Sequence, residues 1–475
     1  MINRNIPFLV ALLPMLVLII LLSYNVFLYG DNSLNGANQL VLLFAAATAV
    51  FIGKIYGSSW KVIVSGISKS IASASPAIII LLLIGALAGT WLISGIIPAM
   101  IYFGLQILNP KIFLFVTAII TAIVSLSTGS SWGTVATIGI ALLGIGQALG
   151  LPTGYIGGAI ISGAYFGDKM SPLSDTTNLA PAMVDVDIFR HIRYMMYTTI
   201  PSFVITLIIF LIIGFTYKIN GQQDINELLS AISNSFNINL WVFLVPITVL
   251  ILIINKLPAI PSLFIGVILG GLFAIISQPQ LIMTLTDTDK LEFSNAYIAI
   301  INAMASDTSI TTNNENISNL LTTSGMAGML NTIWLIICAM VFGGAMESTG
   351  LLNRLAQPVI RYAKDTGSLV ATTVVTCLFF NITASDQYLS IVVPGRMFRN
   401  TYKDKGLAPV NLSRTLEDSG TVTSVLIPWN TCGATQSAVL GVATFTYLPY
   451  CFFNIISPLM TIIYAYMGIK IEKIK

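Results

Sequence analysis

Long apolar runs separated by short polar segments make up most of this chain. We place membrane-spanning helices, which need about 20 apolar residues each, near residues 7–29, 38–53, 74–108, 111–127, 154–166, 194–217, 238–255, 258–277, 327–347, 369–384, 407–427 and 433–467. The run 74–108 is too long for one straight span, and Ser94, Gly95 and Pro98 predict a break inside it. The pattern therefore predicts an all-α polytopic membrane protein with about 11–13 spans.

Composition excludes a soluble protein. Hydrophobic residues make up 56% of the 475 residues and charged residues only 9%, against about 25% charged in soluble domains. The net charge of +3 is spread along the chain, which gives no reason to expect a nucleic-acid partner. Membrane lipids are the expected surroundings.

Few residues are available for metal or cofactor chemistry. The four cysteines lie far apart, His191 is the single histidine, and no Gly-x4-Gly-Lys-Ser/Thr motif for ATP occurs in the sequence. We therefore expect neither an enzyme nor a resident cofactor. An existing ion gradient is the expected source of energy.

Positive charges between the spans predict the orientation. Arg4 precedes the first span, and Lys54, Lys61 and Lys69 follow the second in an expected loop. Because cytoplasmic loops are enriched in lysine and arginine, we predict a multi-pass protein of the cell membrane with a cytoplasmic N-terminus. The first run lacks a small-residue cleavage site after it, which predicts a retained span.

Two parts of the chain share helix-breaking and polar residues at a nearly constant spacing. Gly89, Gly95 and the segment 128–131 match Gly344, Gly350 and the segment 383–386 at an offset of 255 residues, whereas Gly150 and Pro172 match Gly406 and Pro428 at 256. These matches predict an internal duplication, and such transporters place the substrate between the repeats. We divide the chain into residues 1–277 with a first repeat at about 74–217, a polar segment 278–325, and residues 326–475 with the second repeat.

Polar, helix-breaking segments interrupt the apolar runs in both parts. They are residues 125–134, 167–178, 381–386, 416–420 and 428–433. Irregular backbone at membrane depth persists only where it is buried in protein or lines a cavity. Its carbonyl and hydroxyl oxygens suit a hard cation such as Na⁺. A poorly solvated carboxylate beside them would bind either a proton or that cation, which is the simplest physical basis of antiport.

Six acids lie in or near these segments, namely Asp168, Asp175, Glu347, Asp386, Glu417 and Asp418. Each costs about 2.5–3.5 kcal/mol if it is inserted at mid-membrane, so some are expected to bind ions. We favour Asp175, Asp386 and Asp418, with Asp168 and Glu417 as further candidates. Asp386 is expected to mirror Ser131 of the first repeat. The alternatives are a local Asp168–Lys169 salt bridge, capping by Asp175, pairing of Arg414 with Glu417 or Asp418, and an interfacial Glu347.

Neutral oxygen ligands are expected from the same segments, namely Ser127, Thr128, Ser130, Thr176, Thr177, Asn178, Asn430 and Thr431. The predicted Na⁺ site combines Asp175, Thr176, Asn178, Thr128, Asp418 and Thr431. We interpret His191 as an interfacial loop residue, with a pH sensor as the alternative. Trp132 and Trp429 either line the cavity or pack.

Two long motifs resemble the NhaC-type Na⁺/H⁺ antiporter family. They are GDKMSPLSDTTNLAP at 167–181 and LSRTLEDSGTVTSVLIPWNTCGAT at 412–435. The resemblance implies inverted repeats with re-entrant hairpins at 125–149 and 381–405, and unwound helix centres at 167–178 and 424–433. It also implies coupling to Na⁺ and H⁺, with malate, lactate or amino acids carried by some members.

We therefore predict a secondary transporter that exchanges Na⁺ for H⁺ by alternating access, and we expect a homodimer. The alternative is Na⁺/H⁺-coupled transport of a small organic anion or amino acid, for which Lys169 and Arg414 are the cations near the site. An ion channel is disfavoured, because a channel has no need of two alternating gates.

Overall fold

The computed structural model describes residues 6–29, 36–217, 225–255, 257–312, 318, 321–356 and 365–474. Arg4, which contributed to the predicted orientation, lies outside these ranges. Almost every described element is a helix. The first part contains α1 (Phe8–Tyr29), α2 (Ala37–Ile55), α3 (Trp60–Ser73), α4 (Ser75–Ile93), α5 (Ile96–Ile107), α6 (Phe113–Thr128), α7 (Ser131–Thr134), α8 (Ile140–Ala148), α9 (Thr153–Met170), α10 (Asp175–Ala182) and α11 (Ile188–Thr216). A π-helical turn, Val135–Gly139, joins α7 to α8.

Apart from one 19-residue helix, the middle of the chain holds short elements. They are α12 (Ile225–Ser235), α13 (Leu244–Ile254), α14 (Ala259–Ser277), α15 (Pro279–Thr286), α16 (Phe293–Ala305) and the antiparallel strands β1 (Thr308–Ser309) and β2 (Thr322–Thr323). The last part contains α17 (Leu330–Ser348), α18 (Leu351–Ala356), α19 (Thr366–Thr383), α20 (Gln387–Asp404), α21 (Pro409–Leu416), α22 (Thr431–Leu440), α23 (Thr444–Tyr447) and α24 (Phe452–Tyr466). A π-helical segment, Glu417–Thr421, continues α21.

The helices confirm a multi-pass membrane protein. Among the described residues, eight helices are long and apolar enough to cross a membrane, and two bent helix pairs raise that number to ten. Three shorter apolar helices, α5, α6 and α16, accompany them. The all-α fold class with broken helices, predicted from the apolar pattern, is confirmed.

The helices α3 and α4 form one long helix, whereas the apolar pattern predicts a span that begins only at residue 74. They join into a 34-residue helix, Trp60–Ile93, so Lys61 and Lys69 lie on α3 and not in a loop as expected. Ser59 begins the helix, because its hydroxyl accepts the Val62 backbone N–H. The predicted break at the other end is correct: α4 ends before Ser94, and Gly95 has a φ of 81°, which favours glycine.

Each predicted repeat contains a helical hairpin. The first hairpin joins α6 to α7 and α8, and the second joins α19 to α20. Left-handed residues recur at an offset of 256: Gly129 (φ 68°) with Ser385 (φ 57°), Gly150 (77°) with Gly406 (67°), and Asp185 (56°) with Gly441 (63°). The hairpin tips therefore align at 256, and the 255-residue match of segment 128–131 with 383–386 is wrong by one position. Asp386 is the counterpart of Ser130 and not of Ser131.

Each hairpin packs on the helix that follows it through an equivalent polar contact. In the first repeat the Ser125 hydroxyl donates to the Ala164 carbonyl at 2.5 Å. In the second repeat the Asn381 amide donates to the Gly420 carbonyl at 2.8 Å. Both residues of the second contact lie 256 positions after those of the first. The two halves thus reuse one packing geometry with different side chains.

The unwound helix centres are narrower than the family resemblance implies. In the first repeat α9 continues to Met170 and α10 starts at Asp175, so only four residues around Pro172 are unwound. In the second repeat a 3₁₀ turn ends at Leu426 and α22 starts at Thr431. Proline cannot donate a backbone hydrogen bond, which explains why both breaks contain one, Pro172 and Pro428. The run 433–467 is also not one span, since α22 ends at Leu440.

Candidate cation site

Four helix N-termini meet at one cavity of about 590 Å³, which we call the central cavity. The first residues of α7, α10, α20 and α22 all line it: Ser131, Asp175, Gln387 and Thr431. The side chains just before these helices cap them: Ser130 accepts from Gly133 N at 3.0 Å, Ser174 from Thr177 N at 3.4 Å, Asp386 from Leu389 N at 2.9 Å and Asn430 from Cys432 N at 3.0 Å. Ser130 corresponds to Asp386 and Ser174 to Asn430 at the 256-residue offset, so each pair has one residue in each repeat. The duplication has therefore built the cavity from two copies of the same broken-helix device.

Three aspartates line the central cavity, and each lies at one of these N-termini. Asp168 accepts hydrogen bonds from the Ser131 backbone N–H at 3.1 Å and from its hydroxyl at 2.6 Å. Asp386 caps α20, and Asp175 occupies the first turn of α10. A helix N-terminus carries a partial positive charge that stabilises a nearby carboxylate. For the two buried aspartates, Asp168 and Asp386, the helix ends thus replace the cationic side chains that usually accompany buried acids.

The described lining of the central cavity contains no lysine, arginine or histidine. Thr128 and Gly129, at the C-terminal end of α6, also line it. That end carries the negative part of the helix dipole, so its oxygens add to those of the three aspartates. Oxygen ligands of this kind suit Na⁺. In this part of the chain no three Asp, Glu, His or Cys side chains are close enough to hold one ion, so the carboxylates surround the space without closing on its centre.

A fourth acid lies directly behind the cavity wall. Glu417, in the π-helical segment, is completely buried. Thr176 lines the central cavity, and its hydroxyl donates to Glu417 Oε1 at 3.1 Å. No described Lys, Arg or His side chain forms a salt bridge with Glu417. One hydroxyl therefore connects the cavity to a buried acid that forms no salt bridge with any described residue.

Asp418, the next residue, forms a buried ion pair with Lys169. Its other oxygen accepts hydrogen bonds from Thr198 at 2.8 Å and from Thr461. Lys169 Nζ also donates to the Ser457 hydroxyl at 2.9 Å. The expected local salt bridge between Asp168 and Lys169 is therefore wrong. A lysine on the last turn of α9 projects away from the preceding aspartate, since neighbouring helical residues do not face each other.

The expected pairing of Arg414 with Glu417 or Asp418 is also wrong. Arg414 is completely buried, and its guanidinium lies 4.5 Å from the centre of the Tyr194 ring. Its Nη1 donates to the Lys470 backbone carbonyl at 3.2 Å. Arg414 thus contacts the C-terminal segment of the chain.

The structure brings together about half of the predicted site residues at the central cavity. Those that line it are Thr128, Ser130, Asp168, Asp175, Thr176, Asp386 and Thr431. Of the other six, Glu417 and Asp418 lie behind the cavity. The remaining four bond elsewhere: Ser127 donates to Ile123 O, Thr177 to Asp168 O and Lys169 O, Asn178 to Pro172 O and Ser174 O, and Asn430 to Asn381 O. Asp175 and Asn178 are both exposed, yet only Asp175 lines the cavity. The predicted Na⁺ set is therefore split, with Asp418 and Asn178 away from the cavity.

Sequence reasoning missed the three hydroxyls around the Lys169–Asp418 pair. Thr198 belongs to α11, and Ser457 and Thr461 belong to α24. Ser457 and Thr461 are four residues apart, a spacing that places two polar side chains on one face of an otherwise apolar helix. That spacing was a usable signal, but it did not indicate what the face contacts.

The structure also places three further sets of predicted residues, namely His191, the two tryptophans and Glu347. His191 is not an interfacial loop residue, because it lies in α11, is completely buried, and has its Nδ1 2.9 Å from the Ser413 hydroxyl. Trp132 lines the central cavity, whereas Trp429 packs against the second hairpin and donates to Ile382 O at 2.8 Å. Glu347 lines a separate cavity of about 310 Å³.

The family match and the similar known proteins agree with one another. Residues 163–469 match the Na⁺/H⁺ antiporter family. The chain is 38% identical to the Na⁺/H⁺ antiporter NhaC of Alkalihalophilus pseudofirmus, over 92% of this chain and 91% of that one. It is 36% identical to the malate-2H⁺/Na⁺-lactate antiporter of Bacillus subtilis (95% and 92%) and 34% identical to the arginine/ornithine antiporter ArcD of Halobacterium salinarum (97% and 92%). These relatives are antiporters, and the duplicated broken helices are of the type that such transporters use. The chain is a membrane antiporter and belongs to the Na⁺/H⁺ antiporter family.

Proposed function

We propose that this protein exchanges Na⁺ for H⁺ across the cell membrane by alternating access. The observation that carries the proposal is the set of three aspartates, each at a helix N-terminus, around the central cavity. Their charge is stabilised by the helix ends and not by a described cationic side chain. Such carboxylates remain available to an incoming cation.

The Na⁺ ion binds in the central cavity in this proposal. Asp168 and Asp386, one from each repeat, supply charge, and Thr128 and Thr431 supply neutral oxygens. Asp175 lines the cavity, and its carboxylate makes no hydrogen bond or ion pair with another described residue, so it is free to bind a cation or a proton first. Because a protonated carboxylate is a poor Na⁺ ligand, Na⁺ and H⁺ compete for the same groups. That competition couples the two fluxes.

We assign the exchanged proton to Glu417 ahead of Asp418. A cation that reaches Asp418 must displace the ammonium group of Lys169, whereas Glu417 forms no salt bridge with a described cationic side chain. The Thr176 hydroxyl, which faces the cavity and donates to Glu417, provides the connection. The Lys169–Asp418 pair then positions α9 against the π-helical segment that carries both acids.

Proteoliposomes test the proposal. The purified protein is reconstituted with an internal pH dye, and a Na⁺ gradient is imposed with no organic solute present. We expect proton flux, with Asp175→Asn and Glu417→Gln each reducing it at unchanged expression. Absence of proton flux from the unmodified protein would overturn the proposal. Normal exchange by both variants would overturn the assignment of those residues while leaving the exchange itself intact.

A second candidate is Na⁺/H⁺-coupled transport of an organic solute. The supporting observation is size, because a cavity of about 590 Å³ is much larger than one dehydrated ion needs. Helix N-termini suit a carboxylate, and the aspartates suit an ammonium group, so an amino acid fits this lining better than malate or lactate does. Proton flux that begins only after arginine, malate or lactate is added would favour this candidate over the first.

The proposal also retains a cytoplasmic N-terminus and a homodimer. Labelling of a cysteine introduced at Lys54 from one side of sealed vesicles tests the orientation. Cross-linking in native membranes tests the dimer. Neither result affects the assignment of the central cavity.

A further inference from the structure

A second cavity of about 590 Å³ lies between the start of α11 and the C-terminal segment 467–474. We call it the basic pocket. Its walls include Arg190, Arg193, Tyr194 and Tyr197 from α11, and Lys470 and Glu472 from the C-terminal segment. None of these six residues lines the central cavity.

Two positive charges in the basic pocket form no ion pair with a described carboxylate. Arg190 forms an ion pair with Glu472, and the Asp187 carboxylate caps α11 by accepting the Arg190 backbone N–H at 3.0 Å. Both acids of the pocket are therefore engaged. Arg193 makes no ion pair with any described residue, and Lys470 Nζ lies 4.5 Å from the centre of the Tyr197 ring. Arg193 and Lys470 are therefore available to bind an anion.

The basic pocket opens beside a long apolar surface. The helix α11 has 29 residues, more than the roughly 20 that cross a bilayer, so its first turns extend beyond the hydrocarbon. Exposed apolar side chains follow one another along it: Phe189, Met196, Ile200, Val204, Ile208 and Ile212. Tyr197, also exposed, is of the type that concentrates at the membrane interface.

We propose that the basic pocket binds the phosphodiester headgroup of an anionic phospholipid, with its acyl chains along the exposed face of α11. Arg193 and Lys470 contact the phosphate, and Tyr197 lies at the level of the glycerol backbone. Clustered cations at a membrane surface recognise such headgroups. A soluble phosphate would use the same two cations but would gain nothing from the apolar face. This site is independent of which ion or solute the central cavity carries.

The bound lipid would stabilise the C-terminal segment, which contacts the helix that leads to the buried acids Glu417 and Asp418. The Lys470 carbonyl accepts hydrogen bonds from Tyr194 and Arg414, and the Glu472 carbonyl accepts from Ala408 N at 2.9 Å and Asn411 Nδ2 at 2.6 Å. Asn411 and Arg414 belong to α21, which continues directly into the segment that carries Glu417 and Asp418. The C-terminal segment is thus connected to the site helix through hydrogen bonds.

Lipid binding by the purified full-length protein tests the site. The protein is delipidated in a non-ionic detergent and titrated with phosphatidylglycerol, phosphatidylcholine or inorganic phosphate, and the melting temperature and retained lipid are measured. We expect phosphatidylglycerol alone to raise the melting temperature. The double variant Arg193→Gln/Lys470→Gln should bind it about 30-fold more weakly, as expected for two lost cations near an anionic headgroup.

Two further variants control this experiment. Lys54→Gln/Lys61→Gln removes two exposed cations elsewhere and should bind phosphatidylglycerol normally. Arg193→Lys/Lys470→Arg keeps the charges and should retain most of the binding, which separates charge loss from misfolding. Equal binding of phosphatidylglycerol by the unmodified protein and the glutamine variant would overturn the proposal. An equal response to phosphatidylcholine or to inorganic phosphate would overturn it as well.

Discussion

Lys169 and Asp418 lie 249 residues apart in the sequence, yet they form an ion pair in which neither side chain is exposed. The pair joins the last turn of α9 in the first repeat to the π-helical segment of the second. Thr198, Ser457 and Thr461 complete its hydrogen bonds from α11 and α24. Charge inside a membrane protein is costly unless it is paired and hydrogen-bonded. The pair therefore fixes how the two repeats meet.

Removal of one partner of this pair should destabilise the protein strongly. Lys169→Met leaves Asp418 buried without a counter-charge, which costs about 3–5 kcal/mol. We expect a marked fall in the melting temperature of the purified protein. The double variant Lys169→Met/Asp418→Leu removes both charges and should recover most of the loss. If the single variant is as stable as the unmodified protein, the pair does not hold the repeats together.

Glu417 should be required for proton coupling. Glu417→Gln keeps the size and the hydrogen bond from Thr176 but cannot release a proton, so Na⁺-driven proton flux should fall at least about tenfold, or about 1.4 kcal/mol. Thr176→Val removes the connecting hydroxyl and should reduce the flux, whereas Thr176→Ser keeps the hydroxyl and should transport normally. Equal flux from the Val and Ser variants would contradict a role for this hydroxyl.

Asp386 should have two separable roles. Asp386→Asn keeps an oxygen that can accept the Leu389 N–H and thus preserves the cap of α20, but it removes the charge. We expect a melting temperature close to normal and a several-fold higher Na⁺ concentration for half-maximal flux. Asp386→Ala also removes the cap, at a further cost of about 1 kcal/mol. A normal Na⁺ dependence in the Asn variant would exclude Asp386 from the cation site.

The apparent affinity for Na⁺ should depend on pH if protons and Na⁺ compete for the cavity carboxylates. As the pH falls through their protonation range, the Na⁺ concentration for half-maximal flux should rise, by at most about tenfold per pH unit for one competing proton. It should level off at higher pH, where the carboxylates are ionised. The measurement is flux against Na⁺ concentration at several pH values, and a constant value across them would contradict direct competition.

Close packing of α6 on α9 should make Gly163 intolerant of substitution. A Cβ atom at this position would meet the Ala118 carbonyl and the Thr121 hydroxyl, and overpacking of this kind costs about 1–3 kcal/mol. We expect Gly163→Ala to lower the melting temperature. Gly133→Ala is a matched control, because the nearest atom to its Cβ, Ser130 Oγ, would lie at an ordinary 3.5 Å. Equal melting temperatures for the two variants would contradict the packing argument.

Several features followed from the sequence because they depend on local chemistry. Apolar runs require helices that satisfy their own backbone hydrogen bonds, so most spans were placed within a few residues. Pro172, Pro428 and Gly129 interrupt those helices through missing N–H groups or a left-handed backbone, and the breaks lie where they were predicted. The sequence identifies the capping residues Ser130 and Asn430 as polar, but it predicts them as Na⁺ ligands and not as caps of helix N-termini.

Tertiary structure alone decided which polar groups meet. The sequence determined a duplicated, broken-helix membrane protein with acids beside the breaks. It did not determine that Lys169 pairs with Asp418 and not with Asp168, or that Glu417 contacts Thr176. These contacts join residues more than 240 positions apart, and their free energy depends on burial and on the direction in which each helix presents its side chains. Neither burial nor side-chain direction can be derived from the spacing of residues along the chain. The division between cavity-lining and buried acids therefore appears only in the folded protein.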